Sequence, residues 1–245
     1  MKLQCIKQAE FISTEYWSCP QILNSGINPE GFFFFEMPYI TGDKYSEYLI
    51  KAAVGNVNGF ISSIVRQIDK NLNKASLSQA NNVLIKNKIA GVREAIATKI
   101  KTDPFIEEEL SGLLEKIPEC KIPIGVCHGD LTLSNMIVAN DKIFLIDFLD
   151  SFIESPVIDY VKIRQETKFK WSLFLEKDMP LYQKNKIIQI LNYFDEFIVK
   201  HYENDVCIKN WYPFLEKFNL LRILPYVKDK GEEQFIINAL KNTNK

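Results

Sequence analysis

Between His128 and Asp147 the chain reads HGDLTLSNMIVANDKIFLID. Four side chains in this stretch, His128, Asp130, Asn135 and Asp147, have the types and order that suit phosphoryl transfer. Moving a γ-phosphoryl group calls for a carboxylate that orients or deprotonates the acceptor hydroxyl, and for oxygen ligands that hold Mg²⁺ on the phosphates. Asp130 suits the first task, and Asn135 and Asp147 suit the second. The apolar runs MIVAN and DKIFLID read as short strands around a turn at Asn140-Asp141. Such a hairpin returns Asp147 to the neighbourhood of Asn135 and gathers three oxygen-bearing side chains at one edge. A single Asp or Asn in a turn is ordinary, because both serve turns for backbone reasons alone. Four such positions in order, flanked by apolar runs, point to chemistry.

These residues resemble a known family. His128, Asp130 and Asn135 match the kinase catalytic-loop pattern H-x-D-x-x-x-x-N, and Ile146-Asp147-Phe148 matches the strand end that carries the metal-binding Asp. Gly129 in place of the usual Arg, and Asp147-Phe148-Leu149 without a following Gly, resemble the small-molecule branch. That branch contains the aminoglycoside phosphotransferases and the choline, ethanolamine and sugar kinases. The resemblance implies an α+β, protein-kinase-like fold: a mainly helical larger lobe with a catalytic β-hairpin, beside a truncated smaller lobe. It implies Asp130 and His128 as catalytic-loop residues and Asn135 and Asp147 as metal ligands. FEMPYITG, residues 35–42, resembles the family's hinge, so Glu36 and Met37 are implied at the adenine edge and Gly42 in the crossing turn. After the motif, Asp159 in SPVIDY is implied as an acceptor for the catalytic loop, a first-turn helix role being the alternative. Asp150 reads either as a substrate or metal contact or as a solvated residue. The choline-type aromatic box directs attention to Trp171 and Trp211, although helical-period aromatics are usually core.

The elements that must position these residues follow from periodicity. An amphipathic helix is expected from Met1 to about Thr14, then extended runs at Gln21–Leu23 and Phe32–Met37 separated by the turn-rich NSGINPEG. Helical spacing fills Tyr45–Asn71 and Ser78–Lys101. Asp103 followed by Pro104 is a helix start, with the helix running to about Lys116. A strand Ile124–Cys127 then delivers His128, whose buried side chain can fix the loop. Helices are expected over Tyr160–Leu175, Lys184–Tyr202, Trp211–Leu224 and Glu232–Leu240. The expected division is residues 1–42 as residual smaller lobe and hinge, and residues 43–245 as the helical larger lobe.

Composition narrows the classes. The 245 residues are 47% hydrophobic and 25% charged with a formal net charge of −1, a globular balance with no global pull toward nucleic acid or an anionic membrane. Cys5, Cys19, Cys120, Cys127 and Cys207 are an odd, dispersed set without C-x-x-C spacing, which predicts free, mostly buried thiols and a reducing compartment. No apolar run of membrane-spanning length is present and the first residues lack a signal-peptide core, so a cytoplasmic location is expected.

The phosphate grip is the part not found. No G-x-G-x-x-G occurs; Lys2 and Lys7 fall on the first expected helix rather than on a strand, and Glu10 has no recognisable partner. A start at an internal Met, a second polypeptide completing the smaller lobe, and a degenerate kinase each account for this. The expected function is transfer of the γ-phosphoryl group of ATP or GTP, with Mg²⁺, to a small-molecule hydroxyl on an aminoglycoside, choline or ethanolamine, a sugar or a surface-polysaccharide precursor. The alternative is a kinase-like binding or scaffold protein. A metal-dependent hydrolase built on His128, Asp130 and Asp147 leaves the hinge-like segment unexplained.

Overall fold

The computed structural model describes residues 2–99 and 103–243. The expected helix limits at Met1 and Lys101 lie outside these residues. At the centre is the hairpin of β7 (Met136–Ala139) and β8 (Lys142–Leu145). Asn140 and Asp141 take φ of 49° and 59°, the paired left-handed conformation of a two-residue type I′ turn, which Asn and Asp tolerate better than other side chains. The register pairs Met136 with Leu145 and Val138 with Ile143. One further bond, Ile146 N–H to the Asn135 carbonyl at 3.2 Å, carries the pairing past the strand ends. Asn135 and Asp147 therefore leave the hairpin side by side, as the spacing predicts.

Two short strands flank the hairpin, giving the order β1-β8-β7-β4. β1 (Trp17–Ser18) runs parallel to β8, and β4 (Asp43–Lys44) antiparallel to β7. Just before β4, a Cβ on Gly42 would lie 2.6 Å from the Val138 carbonyl oxygen and 2.8 Å from a methyl of Ile137. Glycine at position 42 is thus required by close approach of two backbones.

Ahead of this sheet lie α1 (Lys2–Ala9) and a ribbon of β2 (Asn24–Ile27) and β3 (Phe33–Glu36). The first extended run falls on NSGI rather than on Gln21–Leu23, because Asn24–Ile27 pairs residue for residue with Phe33–Glu36 and cross-strand pairing overrides turn propensity. The turn moves to residues 28–32, where the Asn28 carboxamide accepts N–H bonds from Glu30 and Phe32.

The expected helix over Tyr45–Asn71 is two helices, α2 (Tyr45–Lys51) and α3 (Val54–Lys74), since Ala52 and Ala53 are extended. The ammonium of Lys186 takes the Ile50 carbonyl at this break, at 2.6 Å. β5 (Ser76–Ser78), α4 (Asn82–Lys99), α5 (Pro104–Glu115) and β6 (Ile122–Ile124) follow. Asp103 caps α5 as expected, accepting the Phe105 N–H at 2.9 Å ahead of Pro104. After the hairpin come α6 (Pro156–Thr167), α7 (Trp171–Leu175), α8 (Leu181–His201), α9 (Val206–Ile223) and α10 (Lys230–Thr243). Among the described residues no helix is long and apolar enough to cross a membrane. Of the five free cysteines, Cys5 and Cys127 are buried and the other three are partly exposed, so the thiols are less buried than expected.

α6 organises the helical part. Every residue from Pro156 to Thr167 is buried, yet the helix carries Asp159, Lys162, Arg164, Gln165 and Glu166. A polar helix can be buried all round only where its charges find partners. Asp159 and Lys162, three residues apart, share one face and meet the catalytic loop.

If the hairpin is held by its turn geometry, Asn140→Ile should destabilise the protein by about 1–2 kcal/mol, since a β-branched residue resists positive φ. Asp141→Gly should instead raise stability slightly; urea denaturation of both variants measures the contrast.

Candidate active site

The loop between β6 and β7 is built from backbone ties. β6 ends at Ile124, short of the expected strand end at Cys127, because Gly125 N–H turns away to the Glu154 carbonyl at 2.9 Å. The N–H groups of His128 and Gly129 then both end on Asp159, at 2.8 Å to Oδ2 and 2.9 Å to Oδ1. Burial pushes the Asp159 carboxyl up to about 7, against the pull of those two N–H groups. Gly129 has φ of +85°, and a Cβ there would meet the Leu149 carbonyl oxygen at 2.3 Å. No other residue fits this position without moving the segment that follows Asp147.

His128 is 3% exposed and both ring nitrogens serve the backbone. Nε2 lies 2.9 Å from the Ile146 carbonyl, and Nδ1 lies 3.2 Å from the Asp130 N–H. A carbonyl only accepts and an N–H only donates, so the ring is the neutral tautomer with its proton on Nε2. Burial agrees, lowering the imidazole to about 4. Packed on the Phe148 ring at 4.4 Å, His128 fastens the loop to the exit of β8.

This leaves Asp130 facing out of the loop. Its Oδ1 lies 2.9 Å from Lys162 Nζ, and its Oδ2 accepts from Asn135 Nδ2 at 3.1 Å. Burial acts to raise the Asp130 carboxyl, but the Lys162 charge and hydrogen bond outweigh it, and the group is held below its ordinary value as a carboxylate. Asn135 Nδ2 also donates to the Asp130 carbonyl at 2.9 Å. Its donor end is thereby committed, and Oδ1 is the end left for a cation. Asp147 is exposed with φ of 58°, a conformation sparsely used by non-glycine residues outside functional turns.

A cleft of about 1320 Å³ opens over Asp130. Met136, Ile137 and Ile146 give it an apolar floor, and α7 contributes Trp171 and Leu175. Asp150 also lines it, as do Arg222 and Tyr226 at the end of α9. Of the two tryptophans, Trp171 reaches the cleft, whereas Trp211 is wholly buried with its indole N–H on the Lys121 carbonyl. Glu36 and Met37 are not among the lining residues. The Glu36 carbonyl accepts the Leu23 N–H at 2.8 Å, and Met37 Sδ lies 3.3 Å from Gln8 Nε2.

Lys162 and Arg222 have no part in the chemistry expected from the motifs, and Lys7 enters it only as a lysine on a helix in place of a strand. Lys162 had one available signal, its position one helical turn after Asp159. Lys7 reaches from α1 to the Leu149 carbonyl and to Glu154, both at 2.7 Å, and nothing local announces that pairing across the whole catalytic segment. Arg222 lies at a helix end far along the chain. Glu10 is exposed just past α1.

A loop and hairpin tied to a buried helix, beneath a cleft and beside a short ribbon, form a protein-kinase-like architecture. The phosphotransferase enzyme family model matches residues 66–177, a stretch containing the whole loop, the hairpin and α6. The KEOPS complex subunit Bud32 of Pyrococcus abyssi is 29% identical over 136 residues, which are 44% of this chain and 62% of that protein. The matched part thus spans less than two thirds of that relative. Among solved structures, the GDP complex of aminoglycoside 2′-phosphotransferase-IIIa superposes with a TM-score of 0.54 at 14% identity, over 99% of this chain and 80% of that one. Glucosamine kinase superposes at 0.53 with 12% identity, over 99% of this chain and 68% of that one. The fold is that of these kinases.

Removing Asp159 as Asp159→Ala leaves two buried N–H groups without an acceptor and should cost roughly 2–5 kcal/mol in urea unfolding. His128 gives a pH signature. Because its folded value of about 4 is depressed from 6.5, its contribution is full above pH 6.5 and is lost as pH falls toward 4. Asp159 and Glu166, both pushed up to about 7 by burial, act in the opposite sense, so the effect is read as a difference. The stability advantage of wild type over His128→Gln should shrink by about 1.4 kcal/mol per pH unit across that window.

Proposed function

We propose that this chain transfers the γ-phosphoryl group of ATP or GTP to a hydroxyl of a small molecule, acting in the cytoplasm. The observation that carries the reading is Asp130: an ionised carboxylate fixed by Lys162 at 2.9 Å and by Asn135 at 3.1 Å, lining a cleft large enough for a nucleotide and an acceptor. Residues 1–42 serve as hinge and residual smaller lobe, and residues 43–245 carry the chemistry. In this arrangement the apolar floor of Met136, Ile137 and Ile146 takes the nucleotide, with the backbone at Glu36 and Met37 at the edge of the base.

Asp130 accepts a hydrogen bond from the acceptor hydroxyl and aims its oxygen at the γ-phosphorus. Held below its ordinary pKa, Asp130 is chiefly an orienting group. The proton crosses to it late, as the new oxygen–phosphorus bond forms and the bond to the nucleoside diphosphate breaks. Lys162 keeps the carboxylate in place, and His128 is a positioning residue, since both its nitrogens are engaged by backbone. Asn135 and Asp147 fit Mg²⁺: two neighbouring oxygen donors suit an ion that completes its shell with phosphates and water. When bound, Mg²⁺ neutralises the phosphate charge.

A binding or scaffold role is favoured by two observations. Lys7, in α1, has its ammonium committed to Glu154 and the Leu149 carbonyl, and the Glu36 carbonyl is already hydrogen-bonded within the ribbon. Titration with ATP and GTP, with and without Mg²⁺, separates the readings, because a scaffold shows no metal-dependent nucleotide affinity.

Asp130→Asn should lower turnover, followed as nucleoside diphosphate release over a panel of aminoglycosides, choline and amino sugars, by about 10²- to 10⁴-fold, with nucleotide affinity unchanged. Turnover near wild type in this variant would remove Asp130 from the chemistry.

A further inference from the structure

Arg222 differs from the other buried or half-buried arginines of this protein. Arg164 pairs with Asp195 at 2.9 Å and meets the Tyr160 hydroxyl at 3.1 Å. Arg93 pairs with Glu107 at 3.3 Å and bonds Ser111. Of the lysines that line the cleft, Lys162 is held by Asp130 and the exposed Lys177 by Asp229 at 2.6 Å, while Lys44 and Lys88 stand in solvent. Arg222 is only partly exposed in the last turn of α9 and lines the cleft. Among the described residues, however, no carboxylate lies within 4.0 Å of its guanidinium and no hydrogen bond engages it. The Phe152 ring centroid lies 5.3 Å from the guanidinium carbon, a cation–π neighbour that supplies no counter-charge.

A desolvated cation without a counter-ion is costly. Burial lowers the Arg222 pKa, whereas the charge of Asp130 works the other way. An arginine guanidinium nevertheless stays charged at neutral pH. Asp130 already has Lys162 and Asn135, so it is a neighbour in the same field and not Arg222's partner. The wall bearing Arg222, with Ile223, Pro225 and Tyr226, belongs to the end of α9 and the turn after it, whereas the apolar floor belongs to β7 and β8. Arg222 is thus placed to meet an anion bound in the same cleft as Asp130, on the wall away from that floor.

We infer that the hydroxyl acceptor carries an oxyanion, a carboxylate or a phosphate ester, which Arg222 grips through its planar pair of N–H donors while Asp130 engages the hydroxyl. The inference rests on the phosphotransferase reading and narrows its substrate class. A guanidinium clamp on a planar carboxylate or on phosphate is bidentate and fixes orientation as well as charge. Glu176 and Asp178, which also line the cleft, make a cationic acceptor the competing class.

Calorimetric titration of the full chain without nucleotide tests this with matched probes. D-gluconate is compared with D-glucitol, D-glucose 6-phosphate with D-glucose, and D-glucosamine serves as the cationic probe. At least one anion should bind about tenfold or more tightly than its neutral counterpart, and which anion does so separates carboxylate from phosphate. Arg222→Gln should bring the pair level, and Arg222→Lys, keeping charge but not the fork, should fall between; thermal melts verify that both variants fold. Neutral or cationic probes binding as tightly as the anions overturn the inference, as does an anion preference that survives Arg222→Gln. Mg²⁺-ATP titrated into the same protein keeps the two readings apart. Nucleotide binding without anion preference overturns the acceptor class alone, and anion preference without nucleotide binding overturns the phosphotransferase reading.

Discussion

The geometry of the site depends on one buried carboxylate. Asp159 receives the N–H groups of His128 and Gly129 and so fixes the direction in which the chain enters the catalytic loop. With the entry fixed, the imidazole of His128 spans from the Asp130 N–H to the Ile146 carbonyl and ties the start of the loop to the exit of the hairpin. Asn135 closes the other end, donating to both the carbonyl and the carboxylate of Asp130. The Asp130 carboxylate thus stands on a closed circuit of bonds, none longer than 3.2 Å, the kind of preorganisation on which the proposed transfer would rely.

That circuit is anchored in α6, and the anchoring explains why a fully buried helix is rich in polar residues. Asp159 takes the loop backbone, Lys162 takes Asp130, Arg164 takes Asp195, and Glu166 accepts the Ser172 N–H at 3.1 Å. Each polar group answers one on a neighbouring element, so packing and site geometry are set by the same contacts. A second tie reaches in from the opposite end of the sequence, where Lys7 couples α1 to Glu154 and the Leu149 carbonyl.

Much of this is legible in the residue string, and the legible part is local. The Asn140-Asp141 turn, the two strands beside it and the adjacency of Asn135 and Asp147 follow from turn chemistry and alternation within a dozen residues. The Asp103 cap of α5 follows for the same reason. What escapes is set by distance. The Lys7–Glu154 pair and the entry of Arg222 into the cleft join residues with no shared periodicity. The displacement of β2 to Asn24–Ile27 shows cross-strand pairing overruling the turn preference of Asn, Ser and Gly. Asp159 as acceptor was expected only from the family resemblance, and the two N–H contacts give that expectation its physical content.

Gly129 has a consequence for how such a chain can change over time. The space beside its α-carbon is filled by the Leu149 carbonyl, and its φ of +85° excludes side chains a second time. Glycine here is enforced by the fold whether or not any phosphate ever moves. Any variant that keeps this loop has to keep this glycine, whatever use the architecture is put to. The middle letter of His-Gly-Asp is therefore written by the backbone, independently of what its neighbours do.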